Sequence, residues 1–238
     1  MAALPRKLVA IHQPNFFPWL GFFDKVRRSD VFIALDNVQF PKTGGTWTNR
    51  VQVMVDGEPA WVSMPIVRAY HGVRAIREMQ IAPDTMWRGK LLRKIEHNYR
   101  RAPEFDDVFP WLAPLIENPT SSVAEYNLAS IQALCRRLGI RTPIRLGSEL
   151  AVEGRATDLL ISMVKAVGGS EYLAGGGAAG YQEDEEFQQA GIQLTYQSFH
   201  HPTYPQTNTA GFEPGLSIID ALMNCGVAGT TRLLEQGG

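Results

Sequence analysis

The amino-acid sequence predicts an α/β protein with a mostly parallel, Rossmann-like sheet that is flanked by helices. Two stretches support this class. Residues 8–35 have the pattern of a short apolar strand, a helix and a second apolar strand. From residue 143 onward, short apolar runs again alternate with amphipathic helical segments. Strands that alternate with helices in this way are typical of parallel sheets.

The first strand–helix–strand unit is bounded by clear signals. Residues 8–11 are a β-branched apolar run too short for a helix, and Pro14 and Pro18 then prevent a regular helix between them. Helical spacing of apolar residues predicts a helix over 19–28, and residues 31–35 predict the second strand. Polar residues follow each strand at once: His12, Gln13 and Asn15 after the first, and Asp36, Asn37 and Gln39 after the second.

Two insertions are expected in this plan. Residues 47–55 alternate in polarity, and Asp56-Gly57 is a strong signal for a two-residue hairpin turn, so a β-hairpin is predicted to lie over the strand ends. A short strand is expected around 78–81, followed by a helical insertion at 84–118. We expect one α/β domain over 1–238, in which 1–66 hold the first unit and the hairpin and 120–238 form the second half of the sheet.

The composition indicates which partners the protein is expected to bind and where in the cell it is expected to be. The formal net charge of −1 provides no basic stripe, which argues against nucleic acid as a partner. No apolar run reaches the roughly 20 residues needed to span a bilayer, and the polar residues at 12–14 interrupt any signal-peptide core. Cys135 and Cys225 are isolated, so no disulfide framework is expected. These features predict a cytoplasmic protein in a reducing environment.

No metal and no cofactor are predicted. His200 and His201 are adjacent in an extended segment, where neighbouring side chains point in opposite directions, and carboxylate or cysteine ligands at useful spacing are missing. A glycine-rich stretch at 175–177 follows a predicted strand and could present backbone N–H groups to a ligand. Four acidic residues at 183–186 argue against a phosphate there, which leaves a hydroxyl-rich or carbonyl ligand or a plain tight turn.

The polar residues at the strand ends form the predicted site, because ligands of open α/β sheets bind outside the carboxyl ends of the strands. His12 is the candidate general base, since its ordinary pKa is about 6.5. Asp36 is expected to orient His12 or to bind a sugar hydroxyl, and Arg50 and Lys42 to hold a phosphate or carboxylate. The remaining substrate-binding candidates are Gln13, Asn15, Gln39, Trp47, Asn49, His201, Tyr204 and Gln206. The alternative for each is a side chain that only satisfies backbone groups in a turn.

Three segments also carry a family resemblance. IHQPNFFPWLGFFDKV, LDNVQFPK with TWTNR, and HPTYPQ followed by LSIIDALMNCG resemble the WbqC-like protein family. That family occurs in gene sets for polysaccharide (O-antigen) and natural-product biosynthesis. The resemblance implies a transferase that acts on a sugar or another small activated metabolite, with a nucleotide-linked sugar or an acyl donor as substrate. It also implies that the loop at 201–206 approaches His12.

A second class of function stays open beside the enzyme. A non-catalytic sugar- or nucleotide-binding component of a biosynthetic complex explains the aromatic residues Trp19, Trp47 and Tyr204 without a reaction. The sequence leaves the oligomeric state and the identity of the substrate undetermined.

Overall fold

The central sheet has five parallel strands, and their order identifies the fold. The computed structural model describes residues 6–43, 46–84, 86–175 and 184–238. Its strands are β1 (Leu8–His12), β2 (Val31–Ala34), β3 (Arg50–Val55), β4 (Glu58–Ser63), β5 (Ile144–Leu146), β6 (Glu171–Ala174) and β7 (Gln193–Tyr196). Its helices are α1 (Leu20–Arg28), α2 (Trp87–Tyr99), α3 (Phe105–Ile116), α4 (Val123–Arg137), α5 (Ala156–Ala166), α6 (Asp184–Gln189) and α7 (Ile218–Gly237). The sheet order is β5-β2-β1-β6-β7, and β3 and β4 form a separate antiparallel hairpin. The predicted fold class is confirmed.

Strand β1 lies in the middle of the sheet and is buried on both faces. Val9 aligns with Val31 of β2 on one side and with Tyr172 of β6 on the other. Because successive side chains of a strand point to opposite faces, Val9 packs with residues of α5 and α6, whereas Ala10 packs with residues of α1 and α7. A continuous apolar run in the sequence is the expected signature of such a strand.

Helix α1 connects β1 to β2 and packs against α7. All of its residues from Leu20 to Val26 are buried, including the charged residues Asp24 and Lys25. The carboxylate of Asp24 is neutralised by Arg27 and Arg28, at 3.2 and 3.6 Å. Gln197 also donates a hydrogen bond to it at 2.8 Å. Asp24 is therefore a satisfied structural charge.

The hairpin turns where the sequence predicts. Asp56 and Gly57 both have positive φ, 52° and 86°, as the two central residues of a type I′ turn require. The segment before the hairpin is fastened by Asn127 of α4, whose side-chain amide donates to the carbonyls of Pro14 and Thr48 at 2.8 and 2.7 Å. One buried side chain thus joins the turn after β1 to the start of the hairpin.

Residues near 78–81 do not form the strand that the sequence predicts. A 3₁₀-helix occupies Ile76–Glu78, and only isolated bridges follow, between Ile66 and Ile81 and between Gln80 and Ser122. The carboxylate of Glu78 accepts a hydrogen bond from the backbone N–H of Ala75 at 2.8 Å, which closes a helical turn. This local hydrogen bond favours a helical turn over a strand at these residues. The pattern of apolar residues in the sequence does not indicate such a bond.

Helix α7 contains a break at Gly226, where φ is 67° and ψ is −178°. A Cβ atom at this position would lie 2.6 Å from Oε2 of Glu104. The positive φ favours glycine here, whereas the flexible side chain of Glu104 could move away from a Cβ atom.

The hydrogen bonds of Asn127 predict a large stability effect. We expect Asn127→Ala to lower the free energy of unfolding by about 2–4 kcal/mol, because two buried carbonyls lose their donor. Gln132→Ala, at an exposed position of the same helix, should change it by less than about 0.5 kcal/mol. Urea unfolding followed by circular dichroism measures both. Equal effects of the two variants would contradict the role given to Asn127.

Candidate functional site

The strand order places the expected ligand crevice between β1 and β6. The chain moves from β1 to β2 and β5 on one side, then crosses over to β6 and β7 on the other. The point where the order reverses is the topological switch point, and ligands of open α/β sheets bind outside the carboxyl ends of the strands there. His12 is the last residue of β1, and Gly175 directly follows β6.

His12 is held in one tautomer at this edge. Its Nδ1 lies 2.9 Å from the carbonyl oxygen of Gln13. A carbonyl can only accept, so the proton of the neutral imidazole resides on Nδ1 and the lone pair resides on Nε2. The ring contacts Phe22 edge-on at 5.2 Å. Burial and the nearby charge of Lys25 lower the pKa of His12 to about 4, so the imidazole is neutral at physiological pH.

Lys25 brings a buried amine to the same edge. Its side chain is only 2% exposed, and Nζ donates a hydrogen bond to the carbonyl of Ile11 at 2.9 Å. Nζ also lies 5.9 Å from the ring centre of Tyr172 on β6. Within the described ranges, no carboxylate forms an ion pair with it. Burial lowers the pKa of Lys25 from 10.5 to about 7, so the amine titrates near physiological pH.

Sequence reasoning missed Lys25, because the pattern of α1 is that of an ordinary amphipathic helix. Leu20, Phe22, Phe23 and Val26 fall on one side of α1, whereas Asp24, Lys25 and Arg28 fall on the other side. The burial of Lys25 depends on elements far along the chain, such as Tyr172 of β6 and helix α7, which packs against α1. The local sequence therefore contains no signal for it.

Asp36 forms a structural link at the neighbouring strand ends. Its two carboxylate oxygens accept from the backbone N–H and the hydroxyl of Ser148, at 2.9 and 2.7 Å. Its carbonyl accepts from Arg77 N–H. Asp36 therefore ties the end of β2 to the turn after β5. The hydrogen bonds of the His12 ring and of the Asp36 carboxylate run to different partners.

Several other predicted residues connect the crevice to the hairpin. The side-chain oxygen of Gln13 accepts a hydrogen bond from the hydroxyl of Thr48 at 3.4 Å. The backbone carbonyl of Trp47 accepts one from the backbone N–H of Phe16. Trp47 contacts Trp61 of β4 at 5.1 Å, and the guanidinium of Arg50 lies 4.3 Å from the ring centre of Trp61. Asn15 and Asn49 are buried, and the Asn49 amide donates to the carbonyl of Met64 at 3.2 Å.

Gln39 and Lys42 are exposed on the loop that follows β2. Gln39 forms an isolated bridge with Ala75. Lys42 lies 5.6 Å from the ring centre of Tyr70 and 3.4 Å from the carbonyl oxygen of Gly72. Both residues contact the segment at 70–75. Within the described residues, these contacts differ from those of the His12 ring.

The loop after β7 packs on the N-terminal ends of α1 and α7. His201 stacks on Trp19 at 5.9 Å, and burial lowers its pKa. The Gln206 amide donates to the Tyr204 hydroxyl and to the Glu213 carbonyl, at 3.3 and 2.9 Å. Tyr204 and Gln206 therefore hold the interior of this loop together.

Asp220, in the first turn of α7, is fully buried near Tyr204. Its Oδ1 accepts from the Asn224 amide at 3.1 Å, and no cation forms an ion pair with it in the described part of the chain. Burial raises the pKa of Asp220 to about 7. Asp220 is not among the site residues that the sequence predicts.

The glycine-rich stretch at 175–177 lies outside the described residues except for Gly175. A Cβ atom on Gly175 would lie 3.9 Å from Lys25 Nζ, so this strand end adjoins the amine. Among the described residues, no three histidine, cysteine or acidic side chains come together as metal ligands. No helix in those ranges combines the length and the apolar character needed to cross a membrane.

Comparison with known proteins agrees with the motifs at this edge. The WbqC-like protein family matches residues 13–232. The chain belongs to the WbqC-like protein family. The uncharacterized protein Rv1507c of Mycobacterium tuberculosis (strain H37Rv) is 31% identical over 222 residues, which cover 92% of this chain and 94% of that protein. No solved structure gives a significant match. The region that matches the WbqC-like family includes Lys25, Asp36, Arg50 and Asp220.

The burial of Lys25 predicts a pH-dependent gain in stability when the amine is removed. At pH 6 the folded and unfolded chains both carry the ammonium, so the folded state bears the cost of burying it. We expect Lys25→Met to raise the free energy of unfolding by about 1–4 kcal/mol at pH 6. The gain should fall as the pH rises from about 7 towards 10.5, because the folded parent is then neutral while its unfolded chain stays protonated.

Lys7→Met is the matched control for this measurement. Lys7 donates to the carbonyl of Val167 at 2.6 Å, but it is only half-buried and lies at the opposite edge of the sheet. It should show no gain at pH 6. Thermal melts from pH 6 to 10 test the comparison, and a Lys25→Met variant that melts below the parent at every pH refutes it.

The buried carboxyl of Asp220 should make the stability of the protein fall with rising pH, the opposite direction to the effect of Lys25. Between about pH 4 and 7 the folded chain holds this carboxyl protonated while the unfolded chain is ionised, so the stability of the parent falls as the pH rises. Asp220→Asn removes this titration. We expect its advantage over the parent to grow from pH 4 to 7 and then to stay at about 1–3 kcal/mol. Urea titrations at pH 5 and 8 measure it, and a constant difference would argue against a buried protonated carboxyl.

Proposed function

We propose that this protein is a cytoplasmic group-transfer enzyme that acts on a sugar or another small activated metabolite in polysaccharide (O-antigen) or natural-product biosynthesis. The observation that carries the proposal is the buried amine of Lys25, which forms no ion pair among the described residues and lies near the neutral imidazole of His12. Buried, shifted titratable groups at a ligand crevice are candidates for acid–base chemistry. Membership of the WbqC-like family supports the biosynthetic setting.

Lys25 and His12 divide the acid–base work in this mechanism. A pKa near 4 makes His12 a weak base, so its Nε2 accepts a hydrogen bond from the acceptor hydroxyl or amine and orients it. Lys25, with a pKa near 7, takes the proton of that group. The acceptor oxygen or nitrogen then bonds to the activated carbon of the donor. As the bond to the leaving group breaks, the leaving group keeps the electron pair and receives the proton from the Lys25 ammonium.

The hairpin supplies recognition in the same proposal. Gln13 and Thr48 connect its first residues to the turn after β1, so a substrate in the crevice can extend towards Trp47 and Arg50. The guanidinium of Arg50 suits a phosphate or a carboxylate of the donor. Asp36 contributes indirectly, because its bonds to Ser148 fix the neighbouring strand ends.

One observation favours the non-catalytic alternative. Trp47 and Trp61 are each 43% exposed and in contact with each other. Exposed aromatic pairs mark binding surfaces, and a sugar ring can stack on an indole without undergoing a reaction. A sugar-binding component of a biosynthetic complex would need this surface but not the amine of Lys25.

The test uses purified protein with a metabolite extract that contains nucleotide-linked sugars and acyl thioesters. Mass spectrometry should detect an acceptor whose mass has increased by the transferred group. We expect Lys25→Met and His12→Ala each to slow its formation by about 100-fold or more, because each removes an acid–base or orienting group. The rate of the parent should rise from pH 6 to 8 as Lys25 loses its proton.

Lys7→Met again provides the control and should retain the parental rate. If the protein instead captures a metabolite and returns it unchanged, with no dependence on Lys25, the non-catalytic function replaces the enzyme. A product that forms equally fast in the Lys25→Met variant excludes the mechanism given for Lys25.

A further inference from the structure

A cavity lies between helix α2 and the hairpin. Its volume is about 190 Å³, and it is lined by Trp61 and Ser63 of β4 and by Trp87, Lys90, Leu91 and Lys94 of α2. Trp61 and Ser63 are two residues apart on one strand and therefore share a face. Lys90 and Lys94 are one helical turn apart and are neighbours on the surface of α2. The cavity thus has an aromatic wall and a cationic wall.

No described acidic residue neutralises the cations of this cavity. Lys90 and Lys94 are exposed and form no ion pair within the described ranges. Residues 88–101 contain six lysines and arginines and a single glutamate, in a chain whose net charge is −1. Arg88 donates to the carbonyls of Asn118 and Thr120 and so has a structural role. The two lysines beside Trp61 have no comparable partner in the described residues.

The aromatic wall has an open face and an unsatisfied donor. Trp61 remains 43% exposed although Arg50 stacks against it at 4.3 Å. Trp87 is buried, and its Nε1–H has no hydrogen-bond partner among the described residues. A buried indole N–H without a partner is uncommon in a folded protein, and this donor belongs to a residue that lines the cavity.

A larger cavity of about 550 Å³ lies further along α2, and Lys94 lines both this cavity and the smaller one beside Trp61. Arg93, His97 and Arg100 also line it, but Asp56 and Glu96 line it as well and would oppose an anion. In the smaller cavity the only charged residues are Lys90 and Lys94. An anionic group is therefore accommodated best between these two lysines, next to the indole of Trp61.

We propose that this cavity is a binding site for a phosphorylated sugar, either free or as part of a nucleotide. The phosphate lies between the ammonium groups of Lys90 and Lys94, where charge attracts it. The sugar ring lies against Trp61, whose flat apolar surface suits the C–H face of a pyranose or furanose. The lining of this cavity does not include Lys25 or His12, so binding there does not depend on a group-transfer reaction.

Isothermal titration calorimetry with four probes tests this site. Glucose 1-phosphate and uridine diphosphate carry a phosphate, whereas glucose and uridine are their unphosphorylated controls. We expect the phosphorylated probes to bind at least about 10-fold more tightly than their controls, a difference of about 1.4 kcal/mol. Tighter binding of glucose 1-phosphate than of uridine diphosphate identifies a free sugar phosphate as the ligand, and the reverse order identifies a nucleotide.

Matched variants assign the binding to these residues. Lys90→Glu/Lys94→Glu and Trp61→Ala should each weaken binding by about 10-fold or more. Arg101→Glu alters the charge of an exposed residue just beyond α2 that lines neither cavity, so it should stay within about twofold of the parent. Thermal melts check that each variant is folded, and Lys90→Gln/Lys94→Gln replaces the double glutamate variant if that one is not.

Three results would overturn the proposal. The first is the absence of saturable binding of either phosphorylated probe up to about 10 mM, which is weaker than a specific site would give. The second is unchanged affinity in the Lys90/Lys94 variants. The third is an equal loss in Arg101→Glu, which would show a general effect of net charge. None of these results bears on Lys25 or His12, whose test measures product formation.

Discussion

The structure depends on the complete burial of helix α1. This helix is the crossover between the first two strands, and it is enclosed by the sheet on one side and by α7 on the other. The phenylalanines of α1 fall on one side of the helix and Asp24 and Lys25 fall on the other, and the surrounding elements cover both sides. The enclosure of α1 therefore places Asp24 and Lys25 in the interior together with the phenylalanines. Two arginines neutralise the charge of Asp24 and a glutamine donates a hydrogen bond to it, whereas within the described residues Lys25 donates only to one carbonyl.

This difference distinguishes a buried charge with ion partners from buried charges without one in the described chain. Asp24 has every partner that a buried carboxylate requires, and it serves to join α1 to the segment after β7. Lys25 and Asp220 are buried without an ion partner in the described chain, and burial moves the pKa of each to about 7. Such groups are costly, because each lowers stability when it is charged. The cost at Lys25, beside the switch point of the sheet, agrees with the proposed function, because functional sites are where proteins accept such losses of stability.

Local signals in the sequence were enough for the elements that position the site. Apolar periodicity located β1, α1 and β2, and the Asp56-Gly57 pair located the hairpin turn. Placing polar residues at the carboxyl ends of strands followed from the fold class alone. The partners of those residues could not be predicted in this way. Asp36 meets Ser148 across 112 residues, and nothing near either residue encodes that contact. The depth of Lys25 likewise depends on β6 and α7, which lie more than 140 residues further along the chain.

The position of β1 in the sheet has a consequence for how the chain folds as it is made. Its neighbour β2 follows within a few tens of residues, but the hydrogen bond of Lys7 N–H with Ser170, beside β6, spans 163 residues. At the usual pace of synthesis the ribosome needs about 8–30 s to produce the residues between Lys7 and Ser170. During that time one side of β1 stays unpaired and can associate with other strands. The interior that encloses Lys25 closes only after this delay, so a nascent chain keeps the amine in water until the last strands arrive.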